Sequence, residues 1–208
     1  MSKTELHPIV IFEGEKQIEY EKPQKALFLD RDGVIVEEQP SYLRTEHDIE
    51  FISKSLDAIK NICDMGVPVI VITNQSAVGR NIISVDQSIK INKAIMKRVK
   101  NEGGEIAAIY MCPHHPDDGC LCRKPLPNMA LLAQENMNLD LASSYFVGDT
   151  IKDMKTAERA KVRSILVMTG HGVDEYEKLD SSNKDKYHIA HDLNEAVNEI
   201  ITSFQRVN

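Results

Sequence analysis

A chain of 208 residues, 42% hydrophobic and 27% charged, has the length and composition of one globular domain, or of one domain with an extension. Its net charge of −7 disfavours a broad nucleic-acid interface, which needs a basic surface, but leaves room for a small anionic ligand held by local Lys and Arg. No apolar run approaches the roughly 20 residues of a membrane-spanning helix, and Met1 to Pro8 has no hydrophobic signal core, so a cytoplasmic protein is expected.

Residues 1–24 read as an N-terminal extension. Ile9-Val10-Ile11-Phe12, a turn at Glu13-Gly14-Glu15-Lys16 and then Gln17-Ile18-Glu19-Tyr20 suggest a hairpin that Pro23 ends, packed on a sheet edge. The main domain is expected over 25–208. Its first strand, 26–30, is the apolar run Ala26-Leu27-Phe28-Leu29, followed by an irregular stretch to residue 52. A helix is predicted over 53–65, with Leu56, Ile59, Ile62 and Cys63 on its inner face and Gly66 as its stop. Val67 to Thr73 is a continuous apolar strand, as in a sheet covered on both faces. Ser84 and Gln87 form a capping box for a helix to about Lys100, whose inward stripe reads Val85, Ile89, Met96 and Val99. Gly103-Gly104 closes it, and Ile106 to Met111 is the next strand. A helix from Pro127 to about Asn138, strand 144–148, helix 151–161 and strand 163–168 follow. The tail holds a short strand near residues 187–190 and an amphipathic helix at about 192–204. This alternation predicts an α/β fold with a doubly wound parallel sheet.

Asp30 and Asp32 stand at the end of the first strand. Alone, Asp-Arg-Asp-Gly is good turn chemistry. Asp149 and Asp153 add carboxylates at another strand-to-helix junction, and open parallel sheets bind ligands at those strand ends. Hard, oxygen-rich clusters of this kind suit Mg²⁺. Thr73-Asn74-Gln75-Ser76 ends a third strand and offers a hydroxyl and backbone N–H groups to a phosphate, while Lys124 offers a positive charge. The set describes phosphoryl transfer to a carboxylate nucleophile.

Cys112-x-His114 and Cys120-x-Cys122 present three sulfurs and one nitrogen within eleven residues, the donor set of a structural Zn²⁺ site. A closed site leaves no open coordination position, so its expected work is to stiffen the loop that places Arg123 and Lys124. His115 is expected to face solvent or substrate. Cys63 reads as a buried apolar side chain, and His7, His47, His171, His188 and His191 as surface residues.

With Asp30-x-Asp32-Gly33, Thr73, Lys124 and Gly148-Asp149-x-x-x-Asp153 in this order, the chain resembles the haloacid dehalogenase (HAD) superfamily of phosphatases over about residues 25–170. The resemblance implies that Asp30 attacks phosphorus and forms an aspartyl-phosphate, while Asp32 protonates the leaving alkoxide and later activates water. It implies Mg²⁺ on Asp30, the Asp32 carbonyl and Asp149, with Asp153 either a further ligand or a support for Lys124 or a metal-bound water. Thr73 and Lys124 would stabilise the transferring oxygens. Arg31, Thr73, Asn74, Gln75, Ser76, Arg123 and Lys124 are the residues expected to hold substrate. The gap from Gly33 to the helix at 53 is too short for an inserted cap, and helix 84–100 with strand 106–111 fills the space between Thr73 and Lys124. A capless member is expected, with selectivity in loops 34–50, 76–83 and 112–123.

Cys112-Pro113-His114-His115-Pro116 and Cys120-x-Cys122-Arg123-Lys124-Pro125 are similar to sequences of the zinc-containing group of heptose 1,7-bisphosphate and histidinol-phosphate phosphatases. The partner implied is a small phosphorylated molecule. The first reading is D-glycero-D-manno-heptose 1,7-bisphosphate, with Arg123 on the part that is not cleaved. The alternative, histidinol phosphate, would draw on Glu37, Glu38 and Asp117-Asp118 for its amine. A nucleic-acid 3′-end phosphatase and a non-catalytic module are less favoured. Neither nucleic acid nor membrane is expected as a partner, and the chain is expected to be a monomer. Two positions depart from the heptose-type pattern: Thr150 stands where lysine is usual, and Ala77-Val78-Gly79-Arg80-Asn81 replaces a small-residue-Arg-Gly turn.

Overall fold

In the computed structural model, which describes residues 7–14, 18–180 and 184–206, the predicted strands lie in one sheet. They are β1 (Ile9–Phe12), β2 (Leu27–Leu29), β3 (Val69–Asn74), β4 (Ala108–Cys112), β5 (Tyr145–Gly148), β6 (Arg163–Val167) and β7 (His188–Ala190). Their order is β1-β4-β3-β2-β5-β6-β7, parallel throughout except for β1. The helices are α1 (Ser55–Asp64), α2 (Ser76–Gly79), α3 (Val85–Asn101), α4 (Asn128–Met137), α5 (Ile151–Ala160), α6 (Gly172–Glu177) and α7 (Leu193–Arg206).

Alternation along the strands explains the two layers. Leu27, Leu29, Val69, Val71, Ile109 and Val147 point to one face and bury against Ile59, Ile95 and Val197 of α1, α3 and α7. Phe28, Ile70, Ile72, Tyr110 and Phe146 point to the other face and meet Met129 and Ala133 of α4 and Ala157 of α5. No domain is inserted after β2 or between β3 and β4, where α2 and α3 occupy the connection. Among the described residues no helix is long and apolar enough to cross a membrane.

Two expectations change. Ile9–Phe12 form no hairpin with residues 17–20; β1 instead adds to the sheet edge antiparallel to β4, pairing Ile9 with Met111 and Phe12 with Ala108. Residues 18–20 are not in a strand, and Glu15, Lys16 and Gln17 lie outside the described residues. The open edge of β4 offers a full row of partners to an apolar segment, which a two-stranded hairpin cannot match. On α3, Val85 is exposed and Ile89 only half-buried; the inner stripe is Ser88, Ile91, Asn92, Ile95, Met96 and Val99. Hydrophobic spacing places Met96 and Val99 correctly but not the first turns, where polar Ser88 and Asn92 take inner positions and apolar Val85 and Ile89 do not. Ser88 and Asn92 both reach the Met111 sulfur, at 3.0 and 3.3 Å. Ser84 caps α3 by accepting from the Gln87 N–H at 3.0 Å.

The start of the central strands is fastened by one hydroxyl. Ser144, fully buried, accepts from the Ala26 N–H at 2.9 Å and donates to the Asp140 carbonyl at 2.6 Å, joining β2 to the turn before β5. Ser144→Ala would leave that N–H buried and unpaired. It should lower unfolding free energy by about 1–3 kcal/mol in denaturant titrations, and an unchanged midpoint would contradict this role.

Candidate active site

Strand β2 is the pivot of the site. The chain leaves it toward β3 on one side and returns as β5 on the other, so the sheet changes direction at its carboxyl end. Asp30 follows β2, Thr73 lies near the end of β3, and Asp149 follows β5. Lys124 arrives from the loop after β4. Its backbone is gripped by Asn74, whose Oδ1 accepts from the Lys124 N–H at 3.0 Å and whose Nδ2 donates to the Lys124 carbonyl at 3.2 Å. The Lys124 ammonium, 3% exposed, lies 2.8 Å from Asp30 Oδ1 and 2.6 Å from Asp153 Oδ1. Asp153 Oδ2 accepts from the Thr150 N–H and hydroxyl, at 3.1 and 2.6 Å. With both oxygens of Asp153 engaged, its geometry matches the support of Lys124 rather than a metal ligand.

Asp149 is enclosed by backbone. Its Oδ2 accepts from the His171 N–H at 2.8 Å. A Cβ on Gly33 or Gly170 would come within 2.2 or 2.3 Å of the same oxygen, and both glycines have positive φ, +79° and +54°. Only glycine satisfies both demands.

Oxygens of Asp30, Asp149 and Asp153 lie within 4.8 Å of one another. Burial pushes the Asp30 carboxyl up to about 7, against the pull of Lys124 and with further push from Asp153 and Asp32. Burial, then Asp30 and Asp153, push Asp149 to about 9, opposed by the His171 N–H. Burial disfavours the Lys124 ammonium, but Asp153 and Asp30 outweigh it and its pKa rises. Three carboxyl groups face one ammonium, so the site cannot ionise them all without further positive charge. A hard divalent cation on Asp30 and Asp149 fits this donor set.

Three residues expected to hold substrate have other partners. The Arg31 guanidinium, 2% exposed, lies 2.9–3.2 Å from both oxygens of Asp32 and donates to Asn92 Oδ1 at 2.9 Å. Gln75 donates to Asp32 Oδ2 and Thr73 Oγ1, each at 2.8 Å. Asn74 holds the Lys124 backbone, as above. All three nevertheless line, with Thr73, Ser76, Arg123, Lys124 and Lys152, a cleft of about 190 Å³ over Asp30 and Asp149. His171, expected on the surface, also lines it and pairs with Glu38 at 2.5 Å. Nothing in the local sequence marks that pair or the His171 N–H, because both arise from a loop after β6 folding back on β5. A larger hollow, about 540 Å³, opens at the opposite strand ends, where Lys186 pairs with Glu158 and His188 with Glu199. It holds no carboxylate cluster, so the smaller cleft is the site.

Beside the cleft, Cys112 Sγ, His114 Nδ1, Cys120 Sγ and Cys122 Sγ converge. Adjacent pairs are 3.5, 3.6, 3.2 and 3.8 Å apart, all too far for a disulfide, and the cysteines are free. Tetrahedral zinc with Zn–S of about 2.3 Å requires S···S edges of about 3.8 Å, so the four atoms fit that ion. His115 stands outside the cluster: its Nδ1 accepts from the Asp117 N–H at 3.2 Å. The backbone of His114 and His115 lies against Gly79 of α2, where a Cβ would be 2.1 Å from the His115 nitrogen.

Carboxylates and a buried lysine at the switch point of a doubly wound sheet, with no domain inserted over them, are a set suited to phosphoryl transfer. The HAD-hydrolase-like family matches residues 121–196. The D-glycero-beta-D-manno-heptose-1,7-bisphosphate 7-phosphatase of Yersinia pestis is 37% identical over 156 residues, 71% of this chain and 82% of that protein. The enzyme of the same name from Pseudomonas aeruginosa is 39% identical over 147 residues, 71% of this chain and 83% of that one. The crystal structure of D,D-heptose 1,7-bisphosphate phosphatase from B. bronchiseptica, complexed with magnesium and phosphate, aligns with a TM-score of 0.80. That alignment has 30% identity and covers 86% of this chain and 99% of the other. The chain belongs to the HAD-like hydrolase family and is a phosphatase within it.

The raised carboxyls make metal binding visible as pH-dependent stability. An unfolded aspartate titrates near 3.8, whereas Asp30 and Asp149 titrate at about 7 and about 9 in the fold without a cation. Their protonated forms are favoured by folding, so this contribution is full below the unfolded value and is lost as pH rises through about 7 and about 9. Mg²⁺ binds the carboxylate forms and offsets the loss. Its addition should therefore raise Tm more at pH 9 than at pH 5 in calorimetry, and an equal gain at both would contradict the site.

Proposed function

We propose that the protein removes the 7-phosphate of D-glycero-D-manno-heptose 1,7-bisphosphate, leaving the 1-phosphate. The observation that carries the reading is Asp30 at the floor of the cleft, paired with a buried lysine and beside Asp149, in a chain so similar to enzymes of that activity. Asp30 Oδ1 is occupied by the Arg31 N–H at 2.7 Å and by Lys124, which leaves Oδ2 to attack phosphorus in line. As the O–P bond to the sugar breaks, Asp32 passes its proton to the departing oxygen. The regenerated Asp32 carboxylate then takes a proton from the water that attacks the aspartyl-phosphate, freeing inorganic phosphate and Asp30. Thr73 and Lys124 hold the phosphoryl oxygens throughout. Mg²⁺, held by Asp30, the Asp32 carbonyl and Asp149, would supply the charge that lets an anionic nucleophile approach an anionic phosphate.

Arg123 lines the cleft one residue before Lys124, and its Nη1 makes only a long bond, 3.4 Å, to the His114 carbonyl. Its fork is available to the distal phosphate. A zinc ion on Cys112, His114, Cys120 and Cys122 would anchor this loop. The alternative substrate, histidinol phosphate, finds less support. Of its candidate acidic patch, Glu38 is paired with His171, and Asp118 Oδ2 accepts from the His115 N–H at 2.8 Å.

A phosphate-release panel tests the reading. Heptose 1,7-bisphosphate should be hydrolysed with the highest kcat/KM among it, histidinol phosphate, other sugar bisphosphates and a DNA 3′-phosphate. Asp30→Asn should keep the fold and lose turnover by at least ~10³-fold, because an amide is a poor nucleophile and a poorer ligand. Near-normal turnover in that variant would sink the mechanism.

Elemental analysis should find one zinc per chain, retained through mild chelation that strips magnesium, because closed thiolate sites bind tightly. Cys120→Ser should lose the zinc and lower turnover through the Lys124 loop while the far-UV circular dichroism of the sheet persists. A zinc-free preparation with full activity would rule out this role.

A further inference from the structure

We propose that Asn92 is a positioning residue for the proton-transfer step: acting through Arg31, it fixes the orientation of the Asp32 carboxylate. The proposal rests on the aspartyl-phosphate reading, in which Asp32 donates a proton to the leaving oxygen as the Asp30–phosphorus bond forms and the phosphorus–oxygen bond breaks.

Asn92 is fully buried in the inner stripe of α3, on a face it shares with Ser88, Ile91, Ile95, Met96 and Val99. An amide in that position is costly unless it is paired. Its Nδ2 has only the Met111 sulfur, at 3.3 Å, a weak acceptor. Its Oδ1 accepts from Arg31 Nη1 at 2.9 Å. The guanidinium is nearly as buried as the amide, and its Nε and Nη2 turn to the two Asp32 oxygens. Gln75 fixes the same carboxylate from the β3 side and also holds Thr73. The relay therefore runs from a core helix to a carboxylate that is itself 26% exposed and lines the cleft. Arg31 and Asp32 are sequence neighbours, and in an extended segment their side chains would diverge. An anchor on the far side of the guanidinium keeps the fork turned toward Asp32. Asn92 is that anchor. Removing it leaves one buried guanidinium N–H unpaired and gives Arg31 reason to turn away.

Leaving-group dependence separates this role from a structural one. p-Nitrophenolate departs without a proton, whereas the alkoxide of p-nitrobenzyl phosphate needs one. Both probes are independent of which sugar the enzyme takes, so the substrate assignment can fail without affecting the test. Asn92→Leu should lower kcat/KM for the benzyl ester by ~10-fold or more beyond its effect on the phenyl ester, since general-acid catalysis contributes roughly 10²–10⁴-fold. Asn92→Asp retains an acceptor for Arg31 and should restore the ratio to within about 3-fold of wild type, well inside the effect of a working acid. Where Asn92→Leu does not fold, Asn92→Ala carries the same expectation, and turnover of the phenyl ester reports that the site is assembled. Equal losses on the two esters, or no restoration by Asn92→Asp, would overturn the proposal. Asp32→Asn decides between the two layers. If it discriminates between the esters and Asn92→Leu does not, only the positioning role falls. If Asp32→Asn does not discriminate, the acid assignment falls and takes this proposal with it.

Discussion

The ammonium of Lys124 is the charge around which the cleft is assembled. It lies between Asp30 and Asp153 at 2.8 and 2.6 Å, in a place that water does not reach. Without it, three carboxylates whose oxygens crowd within 4.8 Å would repel one another with no cation between them. A neutral Asp30 is no nucleophile. One lysine is not enough to ionise all three: burial still holds Asp30 at about 7 and Asp149 at about 9. The remaining imbalance is what a divalent cation corrects. A cation held by Asp30 and Asp149 would thus complement the lysine, and Asp30 would ionise more fully with both in place.

Lys124 can do this only if its loop is held firmly, because a long side chain loses much freedom when it is fixed. Two devices hold it. Asn74, at the end of β3, grips the lysine backbone through both its amide groups, and the four-ligand cluster ends at Cys122, two residues earlier. Helix α2 backs the cluster, with Gly79 pressed against the His114–His115 backbone. The departure at Ala77-Val78-Gly79 therefore forms a short helix seated on the cysteine loop. Thr150 is explained in the same way. It caps α5 by binding Asp153 through its N–H and hydroxyl, so it supports the residue that supports Lys124.

The strands and the chemistry-bearing carboxylates were legible because each rests on a local pattern. Phe28, Val71 and Phe146 lie in apolar runs of strand length, and Asp30, Asp149 and the cysteine loop sit where those runs stop. What stayed hidden depends on which residues meet across the fold. Periodicity counts apolar side chains, so it placed Val85 on the inner stripe of α3 and passed over Asn92, which is inside because Arg31 is there to pair with it. The side-chain partners of Arg31, Asn74 and Gln75 are hidden for a related reason. A polar residue next to a phosphate-binding motif looks available to substrate until the neighbours that occupy it are known. β1 lies on a sheet edge as expected but with another partner, because a hairpin is a local solution and the β4 residues it pairs with are 96 to 102 residues away in sequence.

An open site without a cap must tell substrates apart by its rim. The rim here divides by charge: Arg123 and Lys152 line the cleft as cations, while on the facing loops Glu38 is paired to His171. On the proposed mechanism a monophosphate needs only the floor, where Asp30, Thr73 and Lys124 would act. A bisphosphate brings a second anion that must land on the rim, and the paired Glu38 presents less free negative charge to repel it. Recognition therefore belongs to residues outside the motifs that define the chemistry. The floor is fixed by buried, interlocked groups that leave little room for change, whereas Arg123 and Lys152 lie on a loop and a helix start where substitution leaves that floor intact.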